Sequence, residues 1–149
     1  MKTFLLILMV VVVGALTPIQ ATFNARIGAI LHNPFYGTTV NFAVGLVAML
    51  VLLALLRPEL PGPKQFTAIP AYLYLSGIIG IMLVTSLIIA VPKIGAATAI
   101  MGLVVGQMLT SMLIDQNGWL GVPVHPVSLS RLSGALLLLA GLYLVQRTG

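Results

Sequence analysis

The chain contains five stretches of about 20 residues that are almost free of charged side chains, separated by short connections rich in proline and glycine. A helix needs roughly 20 mostly apolar residues to cross the hydrocarbon core of a bilayer. The pattern therefore predicts an all-α integral membrane protein in which residues 1–149 form a single transmembrane domain. The predicted spans are residues 3–31, 35–56, 70–91, 94–115 and 128–146.

Composition supports a lipid environment for most of the surface. Of the 149 residues, 60% are hydrophobic and only 6% are charged, whereas soluble domains carry about 25% charged residues. Too few polar side chains are present to cover the chain in water, so we expect a multi-pass protein of the cell (inner or plasma) membrane. No basic run is present that would suit a nucleic acid.

The side chains needed for several kinds of chemistry are missing. The chain has no cysteine, which excludes disulfides, thiol nucleophiles and thiolate metal sites. His32 and His125 fall in predicted loops and have no acidic residue near them in the sequence. We therefore expect no bound metal, no cofactor and no enzymatic activity.

The first apolar segment ends in the polar stretch TPIQATFNARIG, which admits two interpretations. A signal peptide would be cleaved here, but its apolar region would be unusually long and Ile19–Ala21 is a poor cleavage site. The alternative is one long membrane helix bent at Pro18, because proline removes a backbone donor and kinks a helix. In this second interpretation Gln20 and Asn24 share a face towards a cavity, and Arg26 reaches the far interface.

The orientation of the spans in the bilayer is weakly specified. With five spans, one side of the membrane carries four basic residues: Lys2, Arg57, Lys64 and Arg131. The other side carries three: Arg26, Lys93 and Arg147. The bias of Lys and Arg in short loops sets orientation, so a ratio of four to three leaves two interpretations open. Either one orientation is weakly preferred, or the chain inserts both ways and has dual topology.

The fourth segment carries two stripes of residues spaced four apart, which lie along one side of a helix. The first stripe consists of Thr98, Gly102, Gly106 and Thr110. Its glycine spacing lets membrane helices approach closely, which indicates a helix-packing surface. The second stripe consists of Gln107, Ser111 and Asp115. Gln107 could either line a cavity or lock the bundle through an interhelical hydrogen bond, since an amide at mid-depth needs a partner or water.

Two further groups complete the candidate site. In the second segment, Asn41 lies between Gly37 and Gly45 at the same spacing of four. The candidate cavity residues are therefore Gln20, Asn24, Asn41, Gln107 and Ser111. Arg26 and Asp115 form a possible charged gate, although a carboxylate at a helix end near the interface is also inexpensive without such a role.

Taken together, TPIQATFNARIG, NPFYGTTVNFAVG, the block from Gly95 to Pro123 and LSRLSGALLLLAGLYLV resemble the YdcZ family, a five-helix branch of the drug/metabolite transporter superfamily. The resemblance implies an integral membrane transporter and favours an antiparallel dimer. Its motif positions match Gln20, Arg26, Asn41, Gln107 and Asp115. Small multidrug resistance proteins of the same superfamily carry a glutamate in the first helix. This chain has none there, so their substrates and coupling do not carry over.

An odd number of spans suits one half of an inverted-repeat transporter, because a second half would run upside down relative to the first. The sequence therefore favours a dual-topology homodimer that transports a small metabolite through a midplane cavity. Two alternatives stay open. The chain could be a non-transporting structural or regulatory subunit, or one half of a heterodimeric transporter.

Overall fold

The computed structural model describes residues 2–148, and within them the chain is helical and contains no strand. Two short 3-10 turns, Ala71–Tyr74 and Trp119–Gly121, join longer elements. The α-helices are α1 (Lys2–Gly14), α2 (Thr17–Ile30), α3 (Pro34–Leu56), α4 (Pro63–Thr67), α5 (Leu75–Ile94), α6 (Ala96–Asn117) and α7 (Leu129–Thr148).

Five helical segments of the described chain are long and apolar enough to cross a membrane. They are Thr3–Ile30, Pro34–Leu56, Ala71–Ile94, Ala96–Asn117 and Leu129–Arg147. This result confirms the predicted fold class of an all-α membrane protein with five spans. The organisation into a single domain stays a prediction.

The first span is interrupted close to the residue that predicted a bend. Helix α1 ends at Gly14 and α2 begins at Thr17, so Pro18 lies in the first turn of α2. A first-turn nitrogen has no partner within its own helix, and proline loses no hydrogen bond there. The polar residues of the opening segment thus belong to a separate helix, α2.

The third span ends at Ile94, three residues later than predicted. The prediction stopped the helix before Pro92, yet proline removes only the hydrogen bond of its own nitrogen. The helix continues for two more residues, and the Gly95 nitrogen donates to the Val91 carbonyl at 3.0 Å. Gly95, at a φ of +77°, is the one residue between α5 and α6.

Contacts divide the chain into two compact units, the first of which comprises Ile19–Ile89. Small residues let its helices approach closely. Helix α2 buries one face through Ala21, Asn24, Ala25 and Gly28. A methyl group placed on Gly37 of α3 would lie 3.0 Å from the Asn24 carbonyl oxygen and 3.1 Å from the Gly28 Cα. The backbones of α2 and α3 are therefore in direct contact at these two glycines.

The second unit contains residues 2–18 and 90–148 of the described chain. Its buried apolar residues include Ala99, Val105 and Met112 on α6 and Ala135 on α7. Gly141 of α7 faces Met101 of α6, whose Cε would lie 3.3 Å from an added methyl group. The packing of α6 against α7 is thus again made with small side chains on one side.

Most of the spanning surface is not covered by the chain itself. In none of the five spans is more than 22% of the most apolar 18-residue window buried. Exposed side chains such as Leu55 (74%) and Leu137 (73%) are large and apolar. Such a surface has to be covered by lipid or by another polypeptide.

The glycine contact between α2 and α3 gives a direct test of this packing. We expect Gly37→Ala to destabilise the protein by about 1–3 kcal/mol, because the added methyl group meets backbone atoms that cannot move aside. Gly45→Ala is the matched control on the same helix, where an added methyl group meets no atom within 4 Å among the described residues. It should be neutral or stabilise by up to about 1 kcal/mol. Unfolding in mixed detergent micelles, followed by circular dichroism, measures both. Equal effects would contradict the described packing.

Candidate functional site

Three amide side chains predicted as cavity residues meet between α2 and α3. The Oδ1 atom of Asn41 accepts hydrogen bonds from Gln20 Nε2 at 3.2 Å and from Asn24 Nδ2 at 3.0 Å. We call these three residues the amide cluster. Asn24 is only 6% exposed, Asn41 is half-buried and Gln20 is exposed. The cluster is therefore held from inside the unit and reachable from outside it through Gln20.

The turn between α2 and α3 determines which residues of the two helices lie opposite each other. Asn33 caps α3 by accepting a hydrogen bond from the Phe35 nitrogen at 2.8 Å, and its own nitrogen donates to the Gly28 carbonyl at 2.9 Å. The contacting pairs Gly28–Gly37 and Asn24–Asn41 are both centred on this turn. Each pair lies one helical turn from the next along the antiparallel helices. The close glycine contact thus brings the two asparagines within hydrogen-bonding reach.

A buried hydroxyl pair that the sequence analysis did not single out joins α3 to α5. The Oγ1 atoms of Thr38 and Thr85 lie 2.7 Å apart, and both residues are buried. Because the Thr38 hydroxyl donates to the Pro34 carbonyl at 3.2 Å, Thr85 is the donor to Thr38. Thr38 lies three residues before Asn41, on the same side of α3. This spacing could have identified Thr38 as part of the polar face.

Helix α6 carries Gln107 and Ser111 on an open groove. The groove has a volume of about 490 Å³ and is lined by Gly102, Leu103, Gly106, Gln107, Thr110 and Ser111. It therefore brings together three of the four residues of the glycine-containing stripe, all but Thr98, and the first two residues of the second stripe. A methyl group on Gly102 or Gly106 would meet no side chain within 4 Å in the described part of the chain. The packing role predicted for Thr98, Gly102, Gly106 and Thr110 stays a prediction.

The polar side chains in this groove differ from the amide cluster in one respect. Gln107 and Ser111 are exposed, and neither side chain forms a hydrogen bond within residues 2–148. An amide near the middle of a membrane helix is costly unless it finds a partner or water. Gln107 has no hydrogen-bond partner within its own unit, and both interpretations, cavity lining and interhelical lock, stay predictions.

A second groove, which the sequence does not predict, adjoins the first at Gly102. It has a volume of about 580 Å³ and is lined by Lys93, Ile94, Gly95, Thr98, Gly102, Leu142 and Gln146. Gly102 lines both grooves. Lys93 and Gln146 lie close to helix ends and far apart in the sequence, so spacing alone gave no signal that they share a site.

The two charged residues predicted as a gate have different surroundings. The Asp115 carboxylate accepts from Arg131 Nη1 at 3.1 Å, and the two side chains are 31% and 34% exposed, respectively. Arg131 also donates to the His125 carbonyl, and the His125 nitrogen donates to the Asp115 carbonyl. Asp115 thus holds the α6–α7 connection against the end of α6. Arg26 is exposed in the last two turns of α2, and a gate role for either residue stays a prediction.

Comparison with known families decides the classification. The family model described as "Putative inner membrane exporter, YdcZ" matches residues 5–144, which is nearly the whole chain. The chain belongs to the YdcZ family. No curated protein and no solved structure matches it. The match confirms the resemblance seen in the sequence, and with the five spans it confirms a multi-pass location in the inner membrane. YdcZ is described as an exporter family, not as a class of enzymes.

The amide cluster predicts unequal costs for its members. Asn41→Leu should destabilise the protein by about 1–3 kcal/mol, because it leaves the buried Asn24 amide without its acceptor. Gln20→Leu should cost only about 0.6 kcal/mol, the average for an intramembrane hydrogen bond.

The double variant Asn24→Leu/Asn41→Leu provides the control, because replacing both partners removes the unsatisfied buried group. It should recover most of the stability lost in Asn41→Leu. Detergent unfolding measures all three variants. If Gln20→Leu is as unstable as Asn41→Leu, burial of the unsatisfied amide does not determine how much stability each variant loses.

Proposed function

We propose that the chain exports a small metabolite as an antiparallel, dual-topology homodimer, each copy forming one half of an inverted-repeat transporter. The observation that carries this proposal is the pair of unsatisfied polar side chains, Gln107 and Ser111, on an open groove of a membrane-spanning helix. A purely structural helix would have those groups bonded or replaced by apolar ones. A transport path needs them free for water and substrate.

The proposed dimer is supported by the part of α6 that its own unit leaves uncovered. The α6 groove contains a glycine pair suited to close helix approach, and no other side chain of the unit formed by residues 2–18 and 90–148 lies against these glycines. We propose that α6 of a second copy packs along the Thr98–Thr110 stripe. The two stripes would then be in contact, and Gln107 and Ser111 of both copies would line a path beside that contact, which a single chain leaves open.

The antiparallel arrangement is supported by charge. Four basic residues on one side of the membrane and three on the other give almost no orientation bias. Opposite insertion of two copies reproduces the inverted halves from which many transporters are built. Gln107 is the twelfth of the 22 residues of α6, so the two copies would place their amides near the bilayer midplane, where such transporters bind substrate.

The amide cluster of α2 and α3 is proposed as a second polar contact for the substrate, reached through the exposed Gln20. Arg26 and Asp115 are proposed as a charged gate. A non-transporting subunit and a heterodimer are the alternatives. Reconstitution of the purified chain alone tests both, because either alternative predicts no flux.

The test compares transport with stability in one variant. Gln107→Ala should change the unfolding free energy by about 0.6 kcal/mol or less, because the side chain has no protein partner within the chain. Transport should fall about tenfold or more, since a lost hydrogen bond to substrate is worth about 1.5 kcal/mol. Leu113→Ala is the control on the same helix, because Leu113 is exposed but does not line the groove.

Flux is measured in proteoliposomes with a metabolite panel, by solid-supported membrane currents and radiolabel uptake. If the Gln107→Ala variant transports at the wild-type rate, Gln107 does not contact the substrate on the path. A large drop in stability with normal flux would instead make Gln107 a structural lock between two copies.

A further inference from the structure

The charges within the spans limit what kind of molecule the proposed path can hold. Asp115 is the one carboxylate among the residues of the five spans. Its charge is already balanced by Arg131, 3.1 Å away. Glu59 lies outside the spans, in the connection after α3. A cation entering the path would find no free counter-charge, and burying an unpaired charge is expensive.

The groove at the start of α6 offers the opposite chemistry. It places an ammonium group, a hydroxyl and an amide around one space of about 580 Å³, on Lys93, Thr98 and Gln146. In the described chain no carboxylate pairs with Lys93. Each of these three side chains can donate a hydrogen bond. A small anion would satisfy the lysine charge and the two neutral donors together.

This groove adjoins the candidate path at one residue. Gly102 lines both it and the groove that contains Gln107 and Ser111. From Thr98 to Ser111 the two grooves cover 14 residues of one helix, or roughly 20 Å at 1.5 Å per residue. That is about two thirds of a hydrocarbon core of roughly 30 Å. A molecule that enters beside Lys93 would meet only neutral polar and apolar side chains from there to Ser111.

We infer that the transported molecule is a small organic anion that enters at the groove of Lys93, Thr98 and Gln146; this inference rests on the proposed transport function. In an antiparallel dimer each membrane face would carry the Lys93 groove of one copy. Two chains of formal charge +5 related by the dimer symmetry also place a charge of +5 on each face. Such a surface concentrates anions at both openings and repels cations.

The experiment measures binding and flux separately. The probes are succinate, acetate and inorganic phosphate as anions, alanine as a neutral zwitterion and tetraethylammonium as a cation. Binding is measured as thermal stabilisation of the detergent-purified protein, and flux is measured in proteoliposomes made from zwitterionic lipid. We expect at least one anion to bind and to be transported, and tetraethylammonium to do neither.

Variants then locate the site. Lys93→Gln should weaken anion binding about tenfold or more, because the charge-assisted hydrogen bond is lost, whereas Lys93→Arg should retain binding. Lys64→Gln is the matched control, since Lys64 lies outside the spans on an exposed short helix. A loss of binding equal in Lys93→Gln and Lys64→Gln would overturn the assignment of the groove.

The remaining outcomes separate this inference from the proposed function. Flux of alanine or tetraethylammonium without flux of any anion would overturn the inference and leave the transporter intact. Anion binding that depends on Lys93, without flux of any probe, would support the site and contradict transport. Stabilisation by phosphatidylglycerol alone, with no response to soluble anions, would show that the groove holds a lipid headgroup and would overturn the inference.

Discussion

The structure depends on the cost of an unpaired polar group in hydrocarbon. In a bilayer core, backbone groups have to be bonded within the chain, which is why the spans are helices. The same cost acts on side chains. The amides of α2 and α3 meet on one oxygen atom, the hydroxyls of Thr38 and Thr85 meet at 2.7 Å, and Asp115 pairs with Arg131. Each of these groups is satisfied within its own unit.

Helix α6 is different, because it carries polar side chains that have no hydrogen-bond partner within its own unit. Gln107 and Ser111 lie on a spanning helix, are exposed, and form no hydrogen bond within the described residues. Gly102 and Gly106 line the same groove and have no side chains, so the groove has room for a second molecule. A polar group that is unsatisfied in one chain indicates a partner, water or a substrate. The proposed dimer supplies all three at one place.

Much of the fold could be predicted from the sequence, because hydropathy over about 20 residues is a strong signal. The break near Pro18 and the shared face of Gln20 and Asn24 follow from local rules as well. The sequence predicts Asn24 and Asn41 as cavity residues, but it does not predict the hydrogen bond between them. Which residue of α2 lies opposite which residue of α3 depends on the conformation of the turn at Asn33. The periodicity of either helix alone does not specify that conformation.

Other parts of the candidate site gave no local signal. Thr38 and Thr85 are 47 residues apart, and Lys93 and Gln146 share a groove only because α6 and α7 pack together. The end of the third span differs from the prediction, because proline within a helical pattern favours a helix end, whereas this helix continues past Pro92 to Ile94. These features depend on tertiary packing, which periodicity in one segment cannot reveal.

The central claim, an antiparallel dimer packed through α6, can be tested directly because the chain contains no cysteine. A disulfide requires Cα atoms about 4.4–6.8 Å apart. Gly106 is the eleventh of the 22 residues of α6, so two antiparallel copies place it opposite itself and place Gly102 opposite Thr110. In membranes under mild oxidation, Gly106→Cys should cross-link to itself. When Gly102→Cys and Thr110→Cys chains with different tags are expressed together, they should cross-link to each other. Neither variant expressed alone should form a cross-linked dimer. Self-cross-linking at all three positions would indicate a parallel dimer, and no cross-link at any of them would show that α6 is not the interface.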